Sequence, residues 1–122
     1  MADKAQALYN FWSGFGLPAY DESNAPEDAT FPRITYETAA DSFGGEVALT
    51  AALWYYSTSW EAISKKSAEI AAFIGMGGKV LKTDDGAMWI KRGTPFAQRV
   101  ADTNDSLRRI VMNITAEFFT EN

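Results

Sequence analysis

The chain contains no cysteine and no histidine in its 122 residues. Without cysteine it can form no disulfide, so its stability does not draw on an oxidising compartment. Zinc sites built from Cys and His are excluded, as are Ser-His-Asp and Cys-His nucleophilic arrangements. Acid–base chemistry would fall to carboxylates, Lys or Tyr, none of which titrates near neutrality in an ordinary environment. Long apolar runs are also missing. No stretch approaches the roughly 18 apolar residues of a membrane span, and the opening "MADKAQALYNFWSG" has no charged-then-apolar leader pattern. The expectation is a protein made in the cytoplasm, with no membrane partner. Positive charge is in the minority, 11 Lys and Arg against 16 Asp and Glu, for a net charge of −5. That balance argues against a sequence-independent nucleic-acid binder.

What is present suits a folded domain. The hydrophobic share is 47% and the charged share 22%, both ordinary for a globular chain. The length fits a single domain over 1–122, able to bury about two-thirds of its unfolded surface. Aromatics reach 14%, with Trp12, Trp54, Trp60 and Trp89 spread along the chain, as a core or a protein interface would want.

Periodicity divides the chain. Leu8, Phe11, Trp12 and Phe15 share one face of a helix that Gly14, Gly16 and Pro18 bring to an end. "PAYDESNAPEDATFP" is acidic and proline-interrupted, and reads as a surface loop. "RITYETA" is a short strand, "DSFGG" a turn, and "EVALTAALWYYS" a central strand with both faces largely covered. A second helix follows, with Thr58 and Glu61 at capping-box spacing and Trp60, Ile63, Ser67, Ile70 and Ile74 as its buried stripe. "GGKVLKT", "TDDG" and "AMWIKR" form a hairpin. "RGTP" then turns the chain into a separate short strand "FAQRV", and "LRRIVMNITAEFF" is a long final strand. The fold class is α+β: a mainly antiparallel sheet of five or six strands with two helices packed on one face.

Sequence motifs for chemistry are few. "IGMGGKVLKT" has the glycines of a phosphate loop, but they follow a helix and precede a strand, the reverse of the required order, and Val80 follows Lys79 where Ser or Thr is needed. The acidic pairs Asp84–Asp85 and Glu27–Asp28 sit in turn-like contexts, where neighbouring side chains diverge. No catalytic residue, metal ligand or cofactor site is assigned. Two charge blocks do stand out. Lys91, Arg92, Arg99, Arg108 and Arg109 could gather at one end of the sheet, and Asp21, Glu22, Glu27 and Asp28 make an acidic segment. They read equally as solvated surface or as the two complementary halves of a head-to-tail protein contact.

The blocks "ITYETAADSFGGEVALTAALWYYSTSWEAISKKSAEIAAFIG", "DGAMWIKRGTPFAQRV" and "RRIVMNITAEF" cover most of the chain, from about Ile34 to Phe118. Together they resemble small proteins encoded in the tail module of long-tailed phages and prophages of Gram-positive bacteria. The element order is similar to that of the tail terminator (tail completion) proteins. The resemblance implies a non-enzymatic structural virion protein, assembled in the host cytoplasm and located in the tail or neck. It would form a homo-oligomeric ring, expected to be a hexamer, that caps the tail tube protein and faces the head connector or neck proteins. DNA would pass through the lumen without specific binding, an acidic lumen keeping it from adhering. No cofactor is implied. A neck or head-completion adaptor, another minor tail protein and, of a different class, a small ligand-binding α+β protein are the competing readings.

Overall fold

The computed structural model describes residues 4–23, 30–38, 46–84, 86–101 and 103–120. The elements are α1 (Lys4–Ser13), β1 (Ala19–Asp21), β2 (Arg33–Tyr36), β3 (Glu46–Tyr56), α2 (Glu61–Ile74), β4 (Lys79–Thr83), β5 (Gly86–Val100) and β6 (Leu107–Thr120). The strands form one six-stranded sheet in the order β1-β2-β3-β6-β5-β4. Only β1 and β2 run parallel; every other neighbouring pair is antiparallel. The α+β expectation, with a mainly antiparallel sheet and two helices, holds.

Alternation along the strands decides which face is covered. Leu49, Ala51 and Leu53 on β3, Ile110 to Phe118 at every second position on β6, and Met88 and Ile90 on β5 are all buried. They join Leu8, Phe11, Trp12 and Phe15 of α1 and Ile63, Ile70 and Ile74 of α2 in one apolar cluster. α2 packs across β3, β5 and β6, whereas α1 touches both β1 and β4, the two outermost strands. One helix can meet both edges only because the sheet curls around it. The expected two-sided cover of β3 does not hold. Among the described residues the side carrying Trp54 has no helix over it, Trp54 stays half-buried, and Tyr56 is 63% exposed.

Three other expectations are corrected. The proline-rich stretch after α1 was expected to be all loop, but Ala19–Asp21 is a strand held against β2, with the Ile34 amide donating to the Pro18 carbonyl at 2.9 Å. Three residues are too few to display a period of two. The Thr58–Glu61 capping box does not form either. Trp60 occupies the N-cap with no side-chain bond, and Ser59 Oγ accepts from the Glu61 amide at 3.1 Å instead.

The third correction is the largest: "RGTP" is not a turn between two strands. β5 runs unbroken from Gly86 to Val100, and its pairing with β6 skips from Arg92↔Ile114 to Ala97↔Met112. Four β5 residues therefore face a single intervening β6 residue, Asn113, as an enlarged bulge. The Thr94–Pro95 bond inside it is cis. Asn113 pins the bulge by donating from Nδ2 to the Pro95 carbonyl at 3.0 Å. A Cβ on Gly93 would stand 2.9 Å from the Asn113 carbonyl oxygen, so only glycine fits there. The expected "DSFGG" turn, together with Glu27 and Asp28, lies outside the described residues.

Candidate protein interface

The bulge decides where the cations go. Past it, β5 and the start of β6 bring Arg99, Arg108 and Arg109 to one end of the sheet, at register positions Arg99↔Ile110 and Val100↔Arg109. Each arginine lies on a tryptophan. The Arg99 and Arg108 guanidinium carbons are 4.8 and 5.2 Å from the centre of the Trp60 ring, on the helix side. On the open side, Arg109 is 4.9 Å from the Trp54 ring and Arg33 is 5.8 Å from it. Register explains this second group, because Arg33, Trp54 and Arg109 are direct cross-strand neighbours on β2, β3 and β6. Arg33 also covers Phe31 at 4.8 Å, and Phe31 meets the exposed Tyr56 edge-to-face at 5.5 Å.

The groups differ in how much of their hydrogen-bonding capacity is used. Arg108 clamps the chain locally, donating to the carbonyls of Thr58 (2.8 Å), Asp105 (2.9 Å) and Leu107 (3.3 Å). The indole Nε1 of Trp54 donates to Thr35 Oγ1 at 2.9 Å, which fixes the ring under Arg109. Among the described residues no carboxylate pairs with Arg92, Arg99, Arg108 or Arg109; the ion pairs are Lys65–Glu61 and Lys66–Glu69, both on α2. Buried Nε atoms of Arg108 and Arg109 have no hydrogen-bond partner. The result is a rim of guanidinium groups oriented by aromatic faces, in which Arg99, Arg108 and Arg109 have no carboxylate partner among the described residues. Tryptophan, tyrosine and arginine are the residues that dominate protein–protein contacts.

Lys91 and Arg92 lie apart from this rim, before the bulge. The Lys91 ammonium sits 4.4 Å over the Trp89 ring, whose Nε1 donates to the Gly77 carbonyl at 2.9 Å. Arg92 is exposed and lines a shallow groove with Met76 and Phe96. The acids lie elsewhere. Asp21 is on β1, at the sheet edge remote from β5, and its carboxylate accepts from Thr38 Oγ1 (2.6 Å), Ser23 Oγ (2.7 Å) and the Ser23 amide (3.0 Å). The Thr38 hydroxyl first, then Ser23, hold its pKa below the ordinary 3.8, against a smaller opposing effect of burial. Glu22 is exposed beside it, its amide bonded to the Tyr36 carbonyl. Within one copy, then, the arginines and the acids Asp21 and Glu22 occupy different parts of the sheet. Burial raises the pKa of Tyr36 and Tyr55, so both phenols stay neutral at ordinary pH.

Arg33, Trp54 and Trp60 are the members of this rim that sequence reasoning left out. The signal was available in part: Arg33 opens the β2 strand, and pairing β2 with β3 would have set it beside Trp54. No three potential metal ligands converge among the described residues. Among the same residues no helix is long and apolar enough to cross a membrane.

No protein-family model matches the chain, and no curated protein does so either. Among solved structures, a chain of the "Virion of native gene transfer agent (GTA) particle" has the same fold, with a TM-score of 0.64 over 95% of this chain and 93% of that one. Sequence identity is 16%, so the likeness is one of fold.

Proposed function

We propose that this chain is a structural protein of a phage-like virion, and within it the tail terminator. Copies form a closed ring, taken to be a hexamer, on the last ring of the tail tube. The ring stops tube growth and presents a surface to the head connector or neck proteins. The observation that carries this reading is the shared fold with a chain of a virion particle over nearly the full length of both. The arginine–tryptophan rim supports it. A ring needs contacts in which one patch meets a different patch on its neighbour, and the aromatic-backed guanidinium groups of Arg99 and Arg109 suit carboxylates on another chain. DNA passes the lumen without specific contact, in keeping with the net charge of −5.

Light scattering on the purified protein, followed by negative-stain imaging with isolated tail tubes, tests the assignment. Rings, free or seated on tube ends, are the expected result. A monomer that ignores tubes refutes it, and binding to head connectors alone would move the protein to the neck adaptors. Arg99→Glu with Arg109→Glu is expected to abolish head–tail joining while circular dichroism shows a folded chain. Infectious particles at normal yield would remove the rim from the joining surface.

A further inference from the structure

α1 has two flanks. Tyr9 is two residues from both Ala7 and Phe11, so it lies about 160° away from each around the helix. On the Ala7–Phe11 flank, toward β4, a groove of about 380 Å³ is walled by Ala7, Phe11, Phe15, Phe73, Val80 and Lys82. Val80 is 62% exposed there and Phe73 49%. The Phe73 ring stands edge-on to Phe15 at 5.3 Å, and the Lys79 ammonium lies 4.5 Å over it. Lys82 is exposed. The groove is apolar inside and cationic at its border.

The opposite flank, toward β1, carries the complement. Tyr9 is 45% exposed. Burial first, then the nearby Asp21 and Tyr9, raise the pKa of Tyr36, and Tyr36 pairs with Asp21 at the end of β1. Tyr9 therefore lies near the acidic end of that strand. The Asp21 carboxylate is taken up by Thr38 and Ser23, but the next residue, Glu22, is exposed. An exposed aromatic ring and an exposed acid suit an apolar groove bordered by lysines. We propose that the groove of one copy receives Tyr9 of a second copy, with Glu22 of that copy reaching Lys82. Glu117 with Phe119 also joins an acid to an exposed aromatic, but it does not serve. Phe119 and Lys82 both pair with Ala87, so they belong to one patch. A ring joins different patches on successive copies, and the two flanks of α1 are such a pair. The inference rests on the ring-forming reading above.

Charge reversal tests the contact, with assembly followed by light scattering of the purified chain and by negative-stain imaging on tube ends. Glu22→Lys, Lys82→Glu and Tyr9→Ser are each expected to weaken assembly by about tenfold or more while circular dichroism stays unchanged. A chain carrying both Glu22→Lys and Lys82→Glu should recover, because every contact then pairs opposite charges again. A merely structural role for either residue predicts no such recovery. A second measurement leaves both charges in place. The chain has no native cysteine, so Ser23→Cys copies mixed with Val80→Cys copies should give a covalent heterodimer with a short bis-maleimide. Single reversals that assemble like wild type, a double variant as weak as the singles, or rings that yield no such link overturn the inference and leave the terminator reading standing. A wild-type chain that forms no ring, free or on tubes, refutes that reading, and this inference with it.

Discussion

Gly78 immediately precedes β4 and lies against β5, which makes Gly78→Ala an informative perturbation. The residue has φ +82°, a left-handed conformation, and a Cβ built there would stand 2.5 Å from Trp89 Nε1, 2.6 Å from the Ile90 carbonyl oxygen and 3.0 Å from Lys91 Cγ. The left-handed backbone costs about 1–2 kcal/mol for an L-residue with a side chain. The contact with Ile90 is backbone, part of the β4–β5 ladder, and cannot swing aside. Overpacking of this kind costs about 1–3 kcal/mol. The sum, about 2–5 kcal/mol, is a large share of a typical domain's stability. Gly77 is the control. Nothing lies within 4 Å of its built Cβ and its φ is not in the positive range. Gly77→Ala should be neutral, or stabilising by up to about 1 kcal/mol through the unfolded chain. Urea unfolding of both variants under one protocol gives the comparison, and Tm for Gly78→Ala should fall by roughly 10 °C or more. If the two variants unfold at the same urea concentration, the close approach of Gly78 to β5 is wrong.

The remaining predictions concern the core and acid stability. Met112, fully buried at the centre of β6, should cost about 2–5 kcal/mol as Met112→Ala, read by chemical denaturation. Asp21 has a folded-state pKa below its ordinary 3.8, so its contribution is complete above that value and is lost as pH falls through the folded-state value. Thr38→Val removes the largest cause of the depression. NMR titration should show the Asp21 pKa moving up towards 3.8, and the gain in stability on raising pH through that window should shrink. An unchanged titration would mean that the Thr38 hydroxyl does not hold the carboxylate.

The helices and the long strands were legible because their periodicity is long enough to repeat. α2 shows its stripe through Ile63, Ser67, Ile70 and Ile74, and β6 alternates from Ile110 to Phe118, all buried as expected. β1 was invisible, since its three residues owe their strand state to β2 and not to their own pattern. "RGTP" misled for a physical reason. Glycine and proline punctuate turns and bulges alike, and only the partner strand, through Asn113, distinguishes them. The same error hid the rim's geometry, because a turn at Pro95 would have detached Arg99 from the strand that carries Lys91. Sequence marked three of the rim's four arginines, Arg99, Arg108 and Arg109, as charged surface. It could not reveal that tryptophans on β3 and before α2 hold them, which depends on pairings between distant segments.

The curl that lets α1 reach both β1 and β4 gives this short helix a protective office. Unpaired sheet edges are templates for stacking onto other chains, and here one ten-residue element packs against both outermost strands. Whatever detaches α1 therefore uncovers part of both at once. The helix is made early, but its second charge, β4, emerges only about 70 residues later along the chain. Until β4 is made, α1 has only β1 of the two outermost strands to pack against.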